Sequence, residues 1–220
     1  MSPTTNEFAK LRQSMVDSQL RARGICDERV LEAMLFVPRE EFVPEVLQAD
    51  AYGDWPQPIG AGQTISQPYT VAYMAQAAQL RGEEKVLEVG TGSGYGAAVL
   101  SVLVAEVHTI ERLPALAHRA CELLKKLDFG NVHVHIGDGS LGLPHEAPFD
   151  AIIVTAAGKC LPSAYVDQLT DGGRIVIPIG QQKSSQHLYR IYRKRGEVIA
   201  DDLGRFAFVP LIGDQGWESP

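Results

Sequence analysis

The chain has 220 residues, of which 45% are hydrophobic and 21% charged, with a net charge of −7 at neutral pH. That suits one sizeable soluble α/β domain and leaves no general footprint for DNA or RNA. Three scattered cysteines, a polar N-terminal stretch without a secretory pattern and no apolar run near the roughly 20 residues of a membrane helix point away from disulfide scaffolds, export and membranes, and toward a reducing, cytoplasmic setting.

Residues 5–48 read as helical. Met15, Val16 and Leu20, then Val30, Leu31, Met34 and Val37, recur at three- and four-residue steps. Gly24 breaks the first helix, Asp27 caps the next and Pro38 ends it. Residues 49–69 read as a long irregular segment, punctuated by Pro56, Pro58, Gly60, Gly62 and Pro68. Its Trp55, Ile59, Ile65 and Tyr69 argue against disorder, so a functional loop is expected.

From residue 70 strands and helices alternate. Helices are expected over 70–80, 96–105, 113–127 and 162–169, and strands over 86–89, 106–111, 132–136, 150–154 and 174–178. This alternation implies a parallel sheet covered on both faces. Residues 188–193, 197–201 and 206–211 read as antiparallel strands closing the sheet edge. The densest basic run, Arg190 to Arg195, falls on a solvated strand end and turn.

The first strand of this series runs straight into Glu88-Val89-Gly90-Thr91-Gly92-Ser93-Gly94-Tyr95, and a helical pattern follows. Glycines there let the backbone turn tightly and approach a ligand, and the helix start presents N–H groups to it. Read from Gly92, the segment also fits the relaxed dinucleotide pattern Gly-x-Gly-x-x-Ala. A dinucleotide site grips a pyrophosphate, whereas S-adenosylmethionine has no phosphate and carries a cationic sulfonium that tolerates Glu88 nearby. Glu-x-Gly-x-Gly-x-Gly is the better description, so the methyl donor is the expected ligand, bound through Glu88, Gly90, Gly92 and Gly94.

In a doubly wound sheet, ligands sit beyond the carboxyl ends of the strands. The second strand ends in Glu111, about 20 residues past the glycines, where a carboxylate can accept from both ribose hydroxyls. The third ends in Gly137-Asp138-Gly139, where an acid can accept from an adenine amino group and Gly139 lets the backbone come close. A single acid at a strand end is commonly just a helix cap, but three in succession, two beside glycines, make a site. The fourth strand runs into Thr155-Ala156-Ala157-Gly158 and lacks the prolines and aromatic that hold a flat base, which disfavours methylation of nucleic-acid bases.

The segment Gly60 to Tyr69 combines flexible backbone with Gln63, Thr64 and Ser66, donors suited to an anion. Its bland reading is a polar loop with capping hydroxyls. His133 and His135 lie two apart and face one side of their strand, but a metal needs a third ligand and none is legible, so no metal is expected. No Ser–His–Asp arrangement is legible either.

Beyond these local patterns, the chain resembles the protein-L-isoaspartate O-methyltransferase family along nearly its whole length after the first ten residues. The matching stretches include Met15 to Leu20, Val37 to Pro44, Pro58 to Tyr69, Val86 to Tyr95, Gly137 to Gly139, Ala147 to Ala157 and Phe208 to Leu211. Gln63 to Tyr69 is specific to that family; the glycine loop marks many methyltransferases. The resemblance implies a doubly wound, Rossmann-like class I methyltransferase sheet, mostly parallel with antiparallel C-terminal strands, plus N-terminal helices. Residues 1–69 would be a helical segment and loop packed on the core, and 70–220 the donor-binding domain, in one globular unit.

The resemblance further implies a monomeric, cytoplasmic repair enzyme. It would transfer a methyl group from S-adenosylmethionine to the free α-carboxylate of L-isoaspartyl residues in damaged proteins or peptides, with neither nucleic acid nor membrane as partner. The ester then cyclises to a succinimide. Ser66 falls on the family's active-site serine, Gln63, Thr64, Ile65 and Ser66 would line donor and substrate, Glu111 would hold the ribose, and Asp138 with Gly139 the adenine. Gly158-Lys159-Cys160 departs from the family's proline and acidic residues, so the flanking-sequence preference stays open. A methyltransferase for another carboxylate or small molecule, a non-catalytic adenosyl-binding module and a nicotinamide oxidoreductase are the alternatives. Gln63 to Tyr69 weighs against the first, the intact set of Ser66, Glu88, Glu111 and Asp138 against the second, and Glu88 against the third.

Overall fold

The computed structural model describes residues 3–182 and 185–218. Seven strands form one sheet: β3 (Lys85–Val89), β4 (Glu106–Glu111), β5 (Val132–Ile136), β6 (Phe149–Val154), β7 (Leu169–Gln182), β8 (Ser185–Lys194) and β9 (Glu197–Phe206). Their order is β5-β4-β3-β6-β7-β8-β9; the first five pair in parallel, and β8 and β9 join antiparallel. The chain winds outward from β3 to β5 on one side, then returns to lay β6 on the other side of β3. The order therefore reverses between β3 and β6, which is where such sheets open a ligand crevice.

Two apolar clusters sandwich the sheet. Val86, Val107 and Ala151 face a core shared with α4 (Tyr95–Leu103), α5 (Pro114–Lys126) and the N-terminal helices. Leu87, Val89, Ile110 and Ile152 face the other side, packed with Tyr165 of α6 (Ser163–Asp167). Buried parallel strands read as near-continuous apolar runs for this reason.

The N-terminal region begins with α1 (Thr5–Met15), which runs into a π-turn over Val16–Leu20. Gly24, at φ +92°, then breaks it in the left-handed region. Asp27 caps α2 (Glu28–Phe36) by accepting from Arg29 N, and the helix stops before Pro38. Both breaks fall where the sequence puts them. Residues 49–69 are more ordered than expected. They contain the hairpin β1 (Gln57–Gly60) and β2 (Gln63–Ile65), turned at Gly60-Ala61-Gly62, all three with positive φ. Then α3 (Pro68–Ala77) starts with proline in its first turn.

The C-terminal expectation needs correction. Residues 206–211 are not a further strand: β9 ends at Phe206. The alternating residues beyond it cross the carboxyl end of β6 instead, where Ala157 N donates to the Val209 carbonyl at 2.8 Å and Leu211 N to the Ala157 carbonyl at 2.8 Å. The β8–β9 hairpin is longer than expected because Arg195 and Gly196, both at positive φ, make a two-residue turn that keeps the flanking ladder in register. Within the basic run, Arg190 pairs with Asp201 at 2.8 Å and Arg193 Nη1 donates to the Val166 and Leu169 carbonyls, so these cations serve the sheet edge.

Candidate active site

A cleft of about 410 Å³ opens at the β3/β6 reversal, over the carboxyl ends of β3, β4 and β6. Its lining includes Gln63, Thr64, Ile65 and Ser66 together with Glu88, Gly90, Gly92, Glu111 and Gly139. Nine of the sequence-expected site residues thus share one cavity, although more than seventy positions separate the first from the last.

Each is held by a local cause. Gly90 and Gly92 have φ of +101° and +54°, and a Cβ on Gly90 would overlap Thr155 Oγ1. That hydroxyl donates to the carbonyls of Val89 and Gly90 at 3.0 and 2.9 Å, tying β6 to the glycine turn. Glu111 accepts from Gly92 N and from Leu113 N, both at 3.0 Å, so its carboxylate is fixed at the cleft edge by two backbone donors. Gly139 faces Val89 so closely that a Cβ would collide with it, and its carbonyl accepts from buried Tyr165 Oη at 2.9 Å.

Glu88 is the electrostatic centre. It is 1% exposed. Thr109 Oγ1 donates to its Oε2 at 2.6 Å, and Thr91 Oγ1 lies 2.7 Å from Thr109 Oγ1. Burial pushes the Glu88 carboxyl up to about 8, against the Thr109 hydrogen bond and with help from the nearby Glu111 charge. Gly96, the second residue of α4, has no room for a side chain because Glu88 Oε1 occupies the space.

Two expected ligands stand outside the cavity wall. Gly94 caps α4 at φ +90°, and a Cβ there would press on Ala120 and Leu124 of α5 at 3.3 Å; its absence lets two helices pack. Asp138 caps the turn over Gly139–Leu141. Its Oδ1 accepts from Ser140 N and Oγ at 2.9 and 2.7 Å, and its Oδ2 from Asp214 N at 2.8 Å. Its carboxylate therefore ties the third strand end to the C-terminal segment.

Sequence reasoning missed the far wall. Phe208 to Ile212 line the cleft, and their alternation mimics a strand. Thr70 and Val71 on α3 also line it, one turn after Ser66. The adjoining Lys159 sits over the Trp217 ring at 4.9 Å, and Gly158 bridges to Ile179 beside the sheet. Among the described residues no helix is long and apolar enough to cross a membrane.

Residues 10–216 match the family model described as Protein-L-isoaspartate(D-aspartate) O-methyltransferase (PCMT). The chain is 52% identical over its full length to Protein-L-isoaspartate O-methyltransferase 1 of Rhodopseudomonas palustris, covering 90% of that protein. It is 51% identical to Protein-L-isoaspartate O-methyltransferase 2 of Marinobacter nauticus, over 99% of this chain and 100% of the other. A crystal structure of a Plasmodium falciparum protein-L-isoaspartate O-methyltransferase in complex with S-adenosyl-L-homocysteine superposes with a TM-score of 0.78 at 29% identity, covering 93% of this chain and 98% of that one. A further solved protein-L-isoaspartate O-methyltransferase gives a TM-score of 0.82 at 28% identity over 93% of this chain and 67% of the other.

Proposed function

The chain belongs to the protein-L-isoaspartate O-methyltransferase family, and from that premise we propose that it methylates the free α-carboxylate of L-isoaspartyl residues in proteins or peptides, with S-adenosylmethionine as donor. The observation that carries this reading is the cleft at the sheet reversal. There the family-specific Gln63–Ser66 segment lines the same space as Glu88, Glu111 and the positive-φ glycines Gly90 and Gly92.

The donor set fits the cofactor. Gly90 and Gly92 remove side chains where a ligand must come near backbone. The buried acid Glu88 offers negative charge to a cationic group, and Glu111, already oriented by two N–H donors, keeps lone pairs for ribose hydroxyls. When bound, the donor supplies an electrophilic methyl on a sulfonium. Asp138 Oδ2, which accepts from Asp214 N, likewise keeps a lone pair and would accept from the adenine amino group beside the Gly139 backbone.

The substrate carboxyl needs no general base. A free α-carboxyl titrates near ~3.5 and is ionised at neutral pH. The protein's task is alignment of that oxygen, and positioning contributes on the order of 7–11 kcal/mol in well-oriented reactions. Ser66, half-buried in the cleft wall, is proposed as the donor that orients the carboxylate. Gln63 and Thr64 line the same wall. The ester cyclises to a succinimide without further help, and part of it reopens to normal aspartate, which makes the reaction a repair. The enzyme is proposed to act as a cytoplasmic monomer, with residues 1–69 packed as helices and loop on the donor-binding unit 70–220.

The test uses labelled S-adenosylmethionine with an isoaspartyl peptide and its normal aspartyl twin. Base-labile label in the isoaspartyl peptide alone supports the reading; equal labelling of both, or of neither, refutes it.

A further inference from the structure

Four of the chain's six histidines gather away from the cleft, at the β4–β5 end of the sheet: His108, His133, His135 and His145. Parallel register sets His108 opposite His133, on the face whose other positions carry aliphatic core. His108 Nδ1 lies 3.0 Å from His135 Nε2, and the rings stack with centroids 5.3 Å apart. The loop before β6 adds Glu146. Ligand atoms of His108, His135 and Glu146 all lie within 4.8 Å of one another. Glu106 adds a second carboxylate, its Oε1 3.1 Å from His108 Nε2 and 3.4 Å from His133 Nε2.

His108 is 3% exposed, and its two ring nitrogens have different neighbours: Nδ1 faces His135, while Nε2 lies beside Glu106 Oε1, the kind of outer carboxylate that orients a ligating imidazole. The spacing suits an ion. Zinc–ligand bonds of about 2.0–2.2 Å put tetrahedral donors roughly 3.3 Å apart; the two imidazole nitrogens are already near that separation, and the carboxylate on the loop has to close by an ångström or so.

We propose that His108, His135 and Glu146, backed by Glu106, form a binding site for a divalent transition-metal ion of the zinc class, separate from the methyl-transfer cleft. Two imidazoles and a carboxylate suit borderline cations such as Zn²⁺, Co²⁺ and Ni²⁺ rather than Mg²⁺ or Ca²⁺. Lys85, 3.5 Å from Glu146 Oε2, holds the carboxylate beside the site. A bound ion would pin β4, edge strand β5 and the loop before β6 together.

The experiment titrates Zn²⁺ into chelator-stripped full-length protein by calorimetry, in a non-coordinating buffer near about pH 7.5. One ion per chain is expected, weakened at least about tenfold by His135→Ala and by Glu146→Gln, since even indirect partners of a metal site cost 10–100-fold. These side chains are partly exposed, so both variants are expected to fold where His108→Ala is a packing risk. Both should bind S-adenosylhomocysteine as the parent does, which separates this proposal from the methyl-transfer reading. Absence of stoichiometric binding, or binding untouched by His135→Ala, or binding lost instead in His187→Ala, which removes an exposed His–Asp pair, overturns it.

Discussion

Arg39 Nη2 donates to the Ser66 carbonyl at 2.8 Å, from a guanidinium with no solvent exposure. Its Nε donates to the Ala51 carbonyl at 2.7 Å, and its plane lies 4.8 Å from the Tyr95 ring centroid. One buried cation therefore spans three parts of the site: the segment bearing Ser66, the turn before the β1–β2 hairpin, and the first residue of α4. A charge is costly to bury; here it fixes a loop that a neutral side chain could not hold at two carbonyls.

Replacing Arg39 should damage both fold and turnover. Arg39→Met leaves two carbonyls without their donor, at about 1–3 kcal/mol each, and should lower Tm by several degrees. Arg39→Lys keeps the charge but loses the planar fork. It should fold, bind S-adenosylhomocysteine with near-parent affinity, and lose kcat. Steady-state kinetics beside calorimetry reads this; an Arg39→Lys enzyme with unchanged kcat would detach Arg39 from Ser66's positioning.

Ser66→Ala tests the orienting role itself. A hydrogen bond to a charged partner contributes about 1.5–3 kcal/mol, so turnover on an isoaspartyl peptide should drop about 10- to 100-fold. Donor affinity should barely change, because the variant removes only the hydroxyl. Full turnover in the variant would show that another group orients the carboxylate.

Much of this site is legible in the sequence because the signals are local. The glycine run after Glu88, the acid closing β4 and the Gln63–Ser66 segment each announce a turn or strand end by composition. What escapes is whatever depends on distant partners. Phe208 to Leu211 alternate like a strand, but β9 already closes the sheet and their backbone finds Ala157 instead. Asp138 sits at a strand end, as its acid and flanking glycines announce, but its tie to Asp214 in the C-terminal segment is not legible there. Gly94 belongs to the glycine motif yet serves contact between α4 and α5. The sequence shows the pair His133 and His135 but not the rest of the cluster, since His108 joins from the neighbouring strand and Glu146 from a loop.

Gly94, which closes the motif, and Gly96, just beyond it, should separate experimentally. Gly94→Ala is strained at φ +90° and presses on α5, so it should cost about 1–3 kcal/mol of stability. Donor affinity in the fraction that folds should stay near the parent's. Gly96→Ala has ordinary helical backbone but puts a methyl onto Glu88 Oε1, so it should weaken donor binding more than it lowers Tm. Denaturant melts and calorimetry on both variants decide it; the reverse ranking would mean that the structure misassigns which glycine guards the cleft.

Glu88 makes donor binding pH-dependent. Burial raises its carboxyl to about 8, so it is protonated in the free enzyme at neutral pH. A cationic ligand favours the ionised form and lowers that value on binding. Affinity for S-adenosylmethionine should therefore rise with pH from about 6.5 and level off above about 8.5, with a proton released on binding below about pH 8. Calorimetry in two buffers of different ionisation enthalpy measures that proton, and Glu88→Gln should abolish both the release and the slope. The stability sign is opposite. A carboxyl raised in the folded state holds its proton more tightly there than in the unfolded chain. Its contribution is therefore fully present below the usual carboxylate range and is lost as pH climbs toward about 8. The ligand-free protein should melt earlier at pH ~8.5 than Glu88→Gln does, by a margin that shrinks toward pH ~5.5; a margin that is constant across that range would show that Glu88 is ionised in the fold from the start.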